Sequence, residues 1–166
     1  MDGRGAKTQL AAEIGEEFAR YFEHLAGRVE RAVRAVPQDQ LYVKPFAYGN
    51  SIGHLLLHVT GNLNHYIGAV IAGSGYVRDR PREFTDEAPP PPDAALQRFH
   101  EAVALVCRTV RSLDDVGWQS AVNEQQPIKT RFGLVLVCAS HLNNHIGQMS
   151  YLVRALGHDT NEPPVW

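Results

Sequence analysis

The sequence predicts an all-α protein, a single four-helix bundle spanning residues 1–166. Three observations carry this expectation. Four long segments repeat apolar side chains every three or four positions, the period of one helix face. No segment alternates apolar and polar residues in the manner of a half-buried strand. The 166-residue chain is 44% apolar and 20% charged, so it can bury one core without disulfide staples and is too apolar to stay disordered.

The first helix is expected over residues 8–36. Leu10, Ile14, Phe18, Phe22, Leu25, Val29 and Val33 form its apolar row. Glutamates and arginines cover the opposite face, and Pro37 stops it. Ser51 suits the N-cap of a second helix, which should run to residue 72, ahead of Gly73. Residues 74–92 form a long connection. It carries the charged run from Arg78 to Phe84 and then Pro89 to Pro92, which favour an extended polyproline path.

Asp93 is expected to cap a third helix over 93–113, with Leu96, Phe99, Val103, Val106 and Val110 inward. Residues 114–131 read as irregular or weakly extended, anchored by Trp118. A fourth helix should cover 132–156 and end at Gly157, a common C-terminal position for glycine. The tail from His158 reads as irregular.

Composition excludes several classes of partner. Formal net charge is -2 and no basic block appears, which disfavours nucleic acid. Cys107 and Cys138 lie far apart outside any paired motif, so a disulfide framework is not expected and a reducing, cytoplasmic setting is. No run is long and apolar enough for a membrane span, and the N-terminus lacks the apolar core of a signal peptide.

The chain holds eight histidines, and five fall on two helices. His54, His58 and His65 share a face of the second helix, since the latter two lie about 40° and 20° from His54 at 100° per residue. His141 and His145 are one turn apart on the fourth. That i, i+4 spacing lets one helix present two imidazoles to one metal ion, and a third from the second helix would complete the three-ligand set of a catalytic zinc site. A lone histidine on an apolar helix is more often a hydrogen-bonded packing residue. His24, His100 and His158 have no pattern and read that way.

Carboxylates are missing from both histidine-bearing helices: there is none between Gly49 and Gly73, and none between Phe132 and Gly157. This disfavours a di-iron bundle, which needs glutamates in its core. It also disfavours a zincin, because the motif reads His141-Leu-Asn-Asn-His145 without the glutamate. An all-imidazole set leaves the cation's charge unquenched, suited to Lewis-acid activation. Partners for the imidazole N–H groups are then expected among amides, hydroxyls and carbonyls, with Thr60, Asn62, Asn144 and Gln148 the nearest candidates and His65 a further pocket residue.

The segment Ser51-Ile-Gly-His-Leu-Leu-Leu-His58-Val-Thr-Gly-Asn62 resembles the helix-two signature of the DinB/YfiT-like superfamily. The segment Ser140-His141-Leu-Asn-Asn-His145-Ile-Gly-Gln148, with the closing Leu156-Gly157, resembles its helix-four signature. The resemblance implies an up-down-down-up bundle in which the long connection is a crossover. It implies that His58, His141 and His145 bind a divalent metal ion, commonly zinc or nickel, and that His54 lies beside the ligands as a possible catalytic or substrate-contacting group. Relatives include bacillithiol S-transferases and mycothiol-dependent maleylpyruvate isomerases.

The expected function is therefore activation of a low-molecular-weight thiol for transfer to an electrophilic small molecule. Arg78, Arg80, Arg82 and Lys129, on loops, are candidates to hold a carboxylate-bearing thiol. A metal-dependent hydrolase is the alternative, with Glu16, Glu23 or Glu101 as candidate bases, and a non-catalytic metal-stabilised bundle is the third reading. The family and the apolar faces of helices one and three also suggest a homodimer.

Overall fold

The computed structural model describes residues 7–123 and 127–161. Helix α1 (Gln9–Arg34) starts where the Thr8 hydroxyl accepts from the Ala11 N–H, and Arg31 and Arg34 occupy its last turn, where cations suit the helix dipole. Helix α2 (Ile52–Leu63) is capped by Ser51, whose Oγ accepts from the His54 N–H. The helix expected to run unbroken to residue 72 changes at Asn64, and Asn64–Ile71 is π-helical. There the Ala72 N–H donates to the Ile67 carbonyl, five residues back, at 3.0 Å. A face counted at 100° per residue fails in such a widened turn.

The crossover is not wholly extended, because α3 (Arg82–Thr85) makes one helical turn inside it. Asp93 does not cap the third long helix. Helix α4 (Pro92–Ser112) begins on Pro92 itself, a first-turn position where the missing N–H costs nothing, and Asp93 sits within that turn. The segment expected to be irregular holds α5 (Asp115–Gln119), capped by Asp114, and one antiparallel bridge between Ala121 and Thr130. Trp118 anchors it: the ring is buried and Nε1 donates to the Ala11 carbonyl at 3.3 Å. Helix α6 (Arg131–Ala155) is capped by Thr130, and Gly157 follows it at φ +85, a left-handed geometry that favours glycine. The expected irregular tail is described to Asn161, and its remainder lies outside the described residues.

The four long helices occupy the corners of a square. α1 and α2 each pack on both α4 and α6 and touch one another only thinly. Gly15 lies against the Val110 backbone and Arg34 reaches Asp93, so α1 and α4 are antiparallel. Phe18 meets Phe132 and Arg28 donates to Asn143, so α1 and α6 are parallel. The path is up-down-down-up. The crossover carries the chain from α2 to α4 in the same direction.

Phe22, Leu25, Leu56, Leu63, Phe99, Leu134, Leu142 and Ile146 are fully buried between the helices. Among the described residues no helix is long and apolar enough to cross a membrane. Truncating a fully buried aromatic removes its transfer free energy and leaves a cavity. Phe22→Ala should therefore cost about 3–5 kcal/mol, read as a lower urea midpoint. A loss below about 1 kcal/mol would show that α1 does not depend on this packing.

Candidate metal centre

His58 lies on α2, and His141 and His145 lie one turn apart on the antiparallel α6. The helix pairing brings the three rings together. Ring centroids are 5.1 Å apart for His58–His141, 4.9 Å for His58–His145 and 4.4 Å for His141–His145. One nitrogen from each ring lies within 4.8 Å of the other two.

Two of the ring nitrogens pointing away from the cluster are committed. His58 Nδ1 is 2.8 Å from Glu83 Oε2. Burial pushes the Glu83 carboxyl up, but hydrogen bonds from His58 and Arg78 outweigh it and hold the carboxyl below its usual range. An ionised carboxylate only accepts, so His58 Nδ1 donates to it and Nε2 is the nitrogen turned to the cluster. Likewise His145 Nδ1–H donates to Gln148 Oε1 at 2.8 Å, which frees its Nε2.

Burial, with the neighbouring His145, His58, Arg78 and Arg80, pushes His141 down to about 4. Burial also lowers His145, against the opposing Gln148 hydrogen bond. Both rings are neutral at pH 7, as metal ligation requires. His58 Nε2 and His141 Nε2 sit 3.1 Å apart. One cation holding two imidazoles at about 2.0–2.1 Å sets their nitrogens roughly 2.9–3.4 Å apart. The donor set therefore fits a divalent cation.

Glu83 is the functional residue that sequence reasoning missed. N–H partners were expected among amides and hydroxyls because carboxylates were counted only on the histidine-bearing helices. Glu83 comes from the crossover, on the single turn α3. Arg78 grips it in a fork, with Nε 2.6 Å from Oε1 and Nη2 2.9 Å from Oε2. Arg78 is thus not a free loop cation for a substrate.

Gly61, one turn beyond His58, admits this carboxylate: a Cβ there would lie 2.1 Å from Glu83 Oε1. The available signal was a charged run in the crossover opposite a glycine at i+3 from a histidine. Phe84, next to Glu83, packs against the His58 ring at 5.0 Å.

The other candidates are placed as follows. His54 is buried, but its Nδ1 takes the Ser51 hydroxyl at 2.7 Å and its ring lies edge-on to Tyr42, so it secures the start of α2 and does not join the cluster. Thr60 bonds back to the Leu56 carbonyl. Asn62 is buried on α2 without a hydrogen bond to the three imidazoles. His65 stands edge-on to Tyr66 in the π-helical stretch, half-buried and outside the three-histidine group. Asn144 is exposed and lines a groove beside α6. Only Gln148, of the expected partners, bonds a ligand imidazole. Glu16 and Glu23 pair with Arg111, and Glu101 accepts from Gln97. Arg82 pairs with Asp86, and Lys129 is an exposed loop residue.

If Gly61 makes room for the carboxylate that orients His58, Gly61→Ala should displace Glu83 while slightly favouring the helix. Zinc affinity should then fall about 10–100-fold in competition with a chromophoric chelator, and the melting temperature of the metal-free protein should fall as well, because the buried pair with Arg78 is disturbed. Unaltered affinity would count against this role of Glu83.

Comparison with known proteins agrees with this architecture. No curated protein sequence matches the chain significantly. Among solved structures, YfiT from Bacillus subtilis superposes with a TM-score of 0.69 at 17% sequence identity, covering 95% of this chain and 94% of that one. That protein is described as a probable metal-dependent hydrolase with an unusual four-helix bundle topology. The family model for the DinB superfamily matches residues 21–149, a span that takes in both histidine-bearing helices and the crossover. The chain belongs to the DinB superfamily.

Proposed function

We propose that this protein is a metal-dependent enzyme in which His58, His141 and His145 hold one divalent cation, zinc or nickel, and that it transfers a low-molecular-weight thiol to an electrophilic small molecule. The observation that carries the metal reading is the convergence of three imidazoles on one point, two of them with the outward nitrogen already engaged. A cation held there supplies Lewis acidity, which lowers the pKa of a thiol or a water that reaches it.

The chain's own residues favour the thiol. Glu83 is the carboxylate bonded to the cluster, and it is taken up by His58 and Arg78. It holds a ring in place and is not a free base for a water molecule. A thiol starts near pKa 8.5, far closer to neutrality than water, so it needs no such base. The sulfur cannot be the protein's own. Burial pushes the Cys138 thiol up to about 12 and the Cys107 thiol up to about 11. The thiol must come from solution. In the reaction its proton leaves to solvent, its sulfur bonds to the electrophilic carbon, and the leaving group departs with the electron pair of the broken bond.

The second reading is hydrolysis, favoured by the description of the Bacillus subtilis protein. Elemental analysis of untagged protein should give close to one zinc or nickel per chain, and His145→Ala should lose it. A screen of electrophiles with and without added thiols then separates the two chemistries. Turnover that requires both metal and thiol supports transfer, whereas metal-dependent turnover without thiol selects hydrolysis. Full activity after metal removal and in His145→Ala would overturn both.

A further inference from the structure

A cleft of about 520 Å³ lies outside the metal centre, lined by the loop of residues 46–50, by Leu55 of α2 and by α6. Its size suits a small organic molecule. Three rings form one wall. Phe46 lies between Tyr48 and Tyr151, at 5.8 Å and 14° from the first and 6.0 Å and 24° from the second. These are near-parallel, offset arrangements, and the outer two rings are largely solvent-facing, Tyr48 at 80% and Tyr151 at 66% exposure. Exposing two large aromatic faces side by side is a cost that a binding surface explains.

Leu55 and Leu152 line the cleft, and its polar side chains are amides and the two tyrosine hydroxyls, with no ionised side chain among the lining residues. One of those amides is Gln148, which also fixes His145, and Leu55 lies one turn before His58 on α2. The cleft therefore reaches a residue that touches the cluster.

We infer that this cleft binds an uncharged planar aromatic ring, stacked on the Phe46–Tyr48–Tyr151 wall, as a subsite for the substrate of the metal centre. The absence of charge along the lining argues against an anionic or cationic occupant, and the parallel rings offer a further ring the offset stacking that aromatics prefer. The subsite role rests on the metal-enzyme reading; the affinity of the cleft for an aromatic ring does not.

Gly147 makes this testable without disturbing the fold. It is on the exposed lining of the cleft, and a Cβ there meets nothing within 4 Å, so Gly147→Leu fills the cleft while leaving α6 intact. The probe is 2-naphthol, a neutral fluorescent bicycle, titrated into wild type, Gly147→Leu, Tyr151→Ser and His145→Ala. Saturable one-to-one binding is expected in wild type and in His145→Ala, with affinity at least tenfold weaker in Gly147→Leu and several-fold weaker in Tyr151→Ser. Retention in His145→Ala separates this inference from the metal reading, which can fail independently. Absence of saturable binding, or equal affinity in wild type and Gly147→Leu, overturns it. So does a wild-type dimer in sedimentation that Gly147→Leu dissociates while 2-naphthol fails to bind, because the wall would then be covered by a second copy of the chain.

Discussion

Glu83 is a buried carboxylate, with its side chain only 7% exposed, and burial alone would drive it to the neutral acid. It stays ionised because Arg78 offers two parallel N–H donors and His58 a third. Once ionised, it dictates which nitrogen of His58 carries the proton. Remove the arginine and the charge is stranded in a low-dielectric site, a loss of about 3–5 kcal/mol for a buried pair of this kind. Remove the glutamate and His58 is free to rotate or change tautomer. The ligand set on α2 and α6 therefore depends on an ion pair contributed by neither helix.

The same pair balances the local charge. Glu83 and Arg78 cancel, and His141 and His145 are held neutral by burial. A cation among the three rings meets no net negative charge in its immediate surroundings. It would keep more of its electrophilic strength than beside a directly bound carboxylate. The crossover is thus part of the site: it supplies the pair that orients one ligand and, through Phe84, the apolar ring against it.

Much of this was legible in the sequence, for reasons that differ by residue. The four helices follow from a 3.6-residue apolar period. Ser51 and Gly157 mark ends that local backbone chemistry determines. His141 and His145 could be singled out because i, i+4 spacing is a local geometric fact, whereas on the second helix the spacing left His54, His58 and His65 open and only the resemblance to the family's helix-two signature picked out His58. Glu83 could not be, since its meeting with His58 depends on how a long connection folds back over α2, which no periodicity encodes. The count that put His65 on the face of His54 assumed an unbroken α-helix, whereas the backbone widens at Asn64. Asp93 looked like a cap, but Pro92 enters the first turn before it.

The square arrangement, with α1 opposite α2 and α4 opposite α6, sets how far apart in the chain the meeting groups lie. His58 and Glu83 are separated by 25 residues, but His58 and His141 by 83. Closing the longer loop costs about 1 kcal/mol more chain entropy than closing the shorter one. The oriented imidazole on α2 can therefore form within a local excursion of the chain, before α6 arrives. The full three-nitrogen set exists only when the last helix has docked. A cation held there would act as a late clasp between distant parts of the chain. Binding the native state in preference to the unfolded chain, it would add stability in proportion to the logarithm of its free concentration over its dissociation constant.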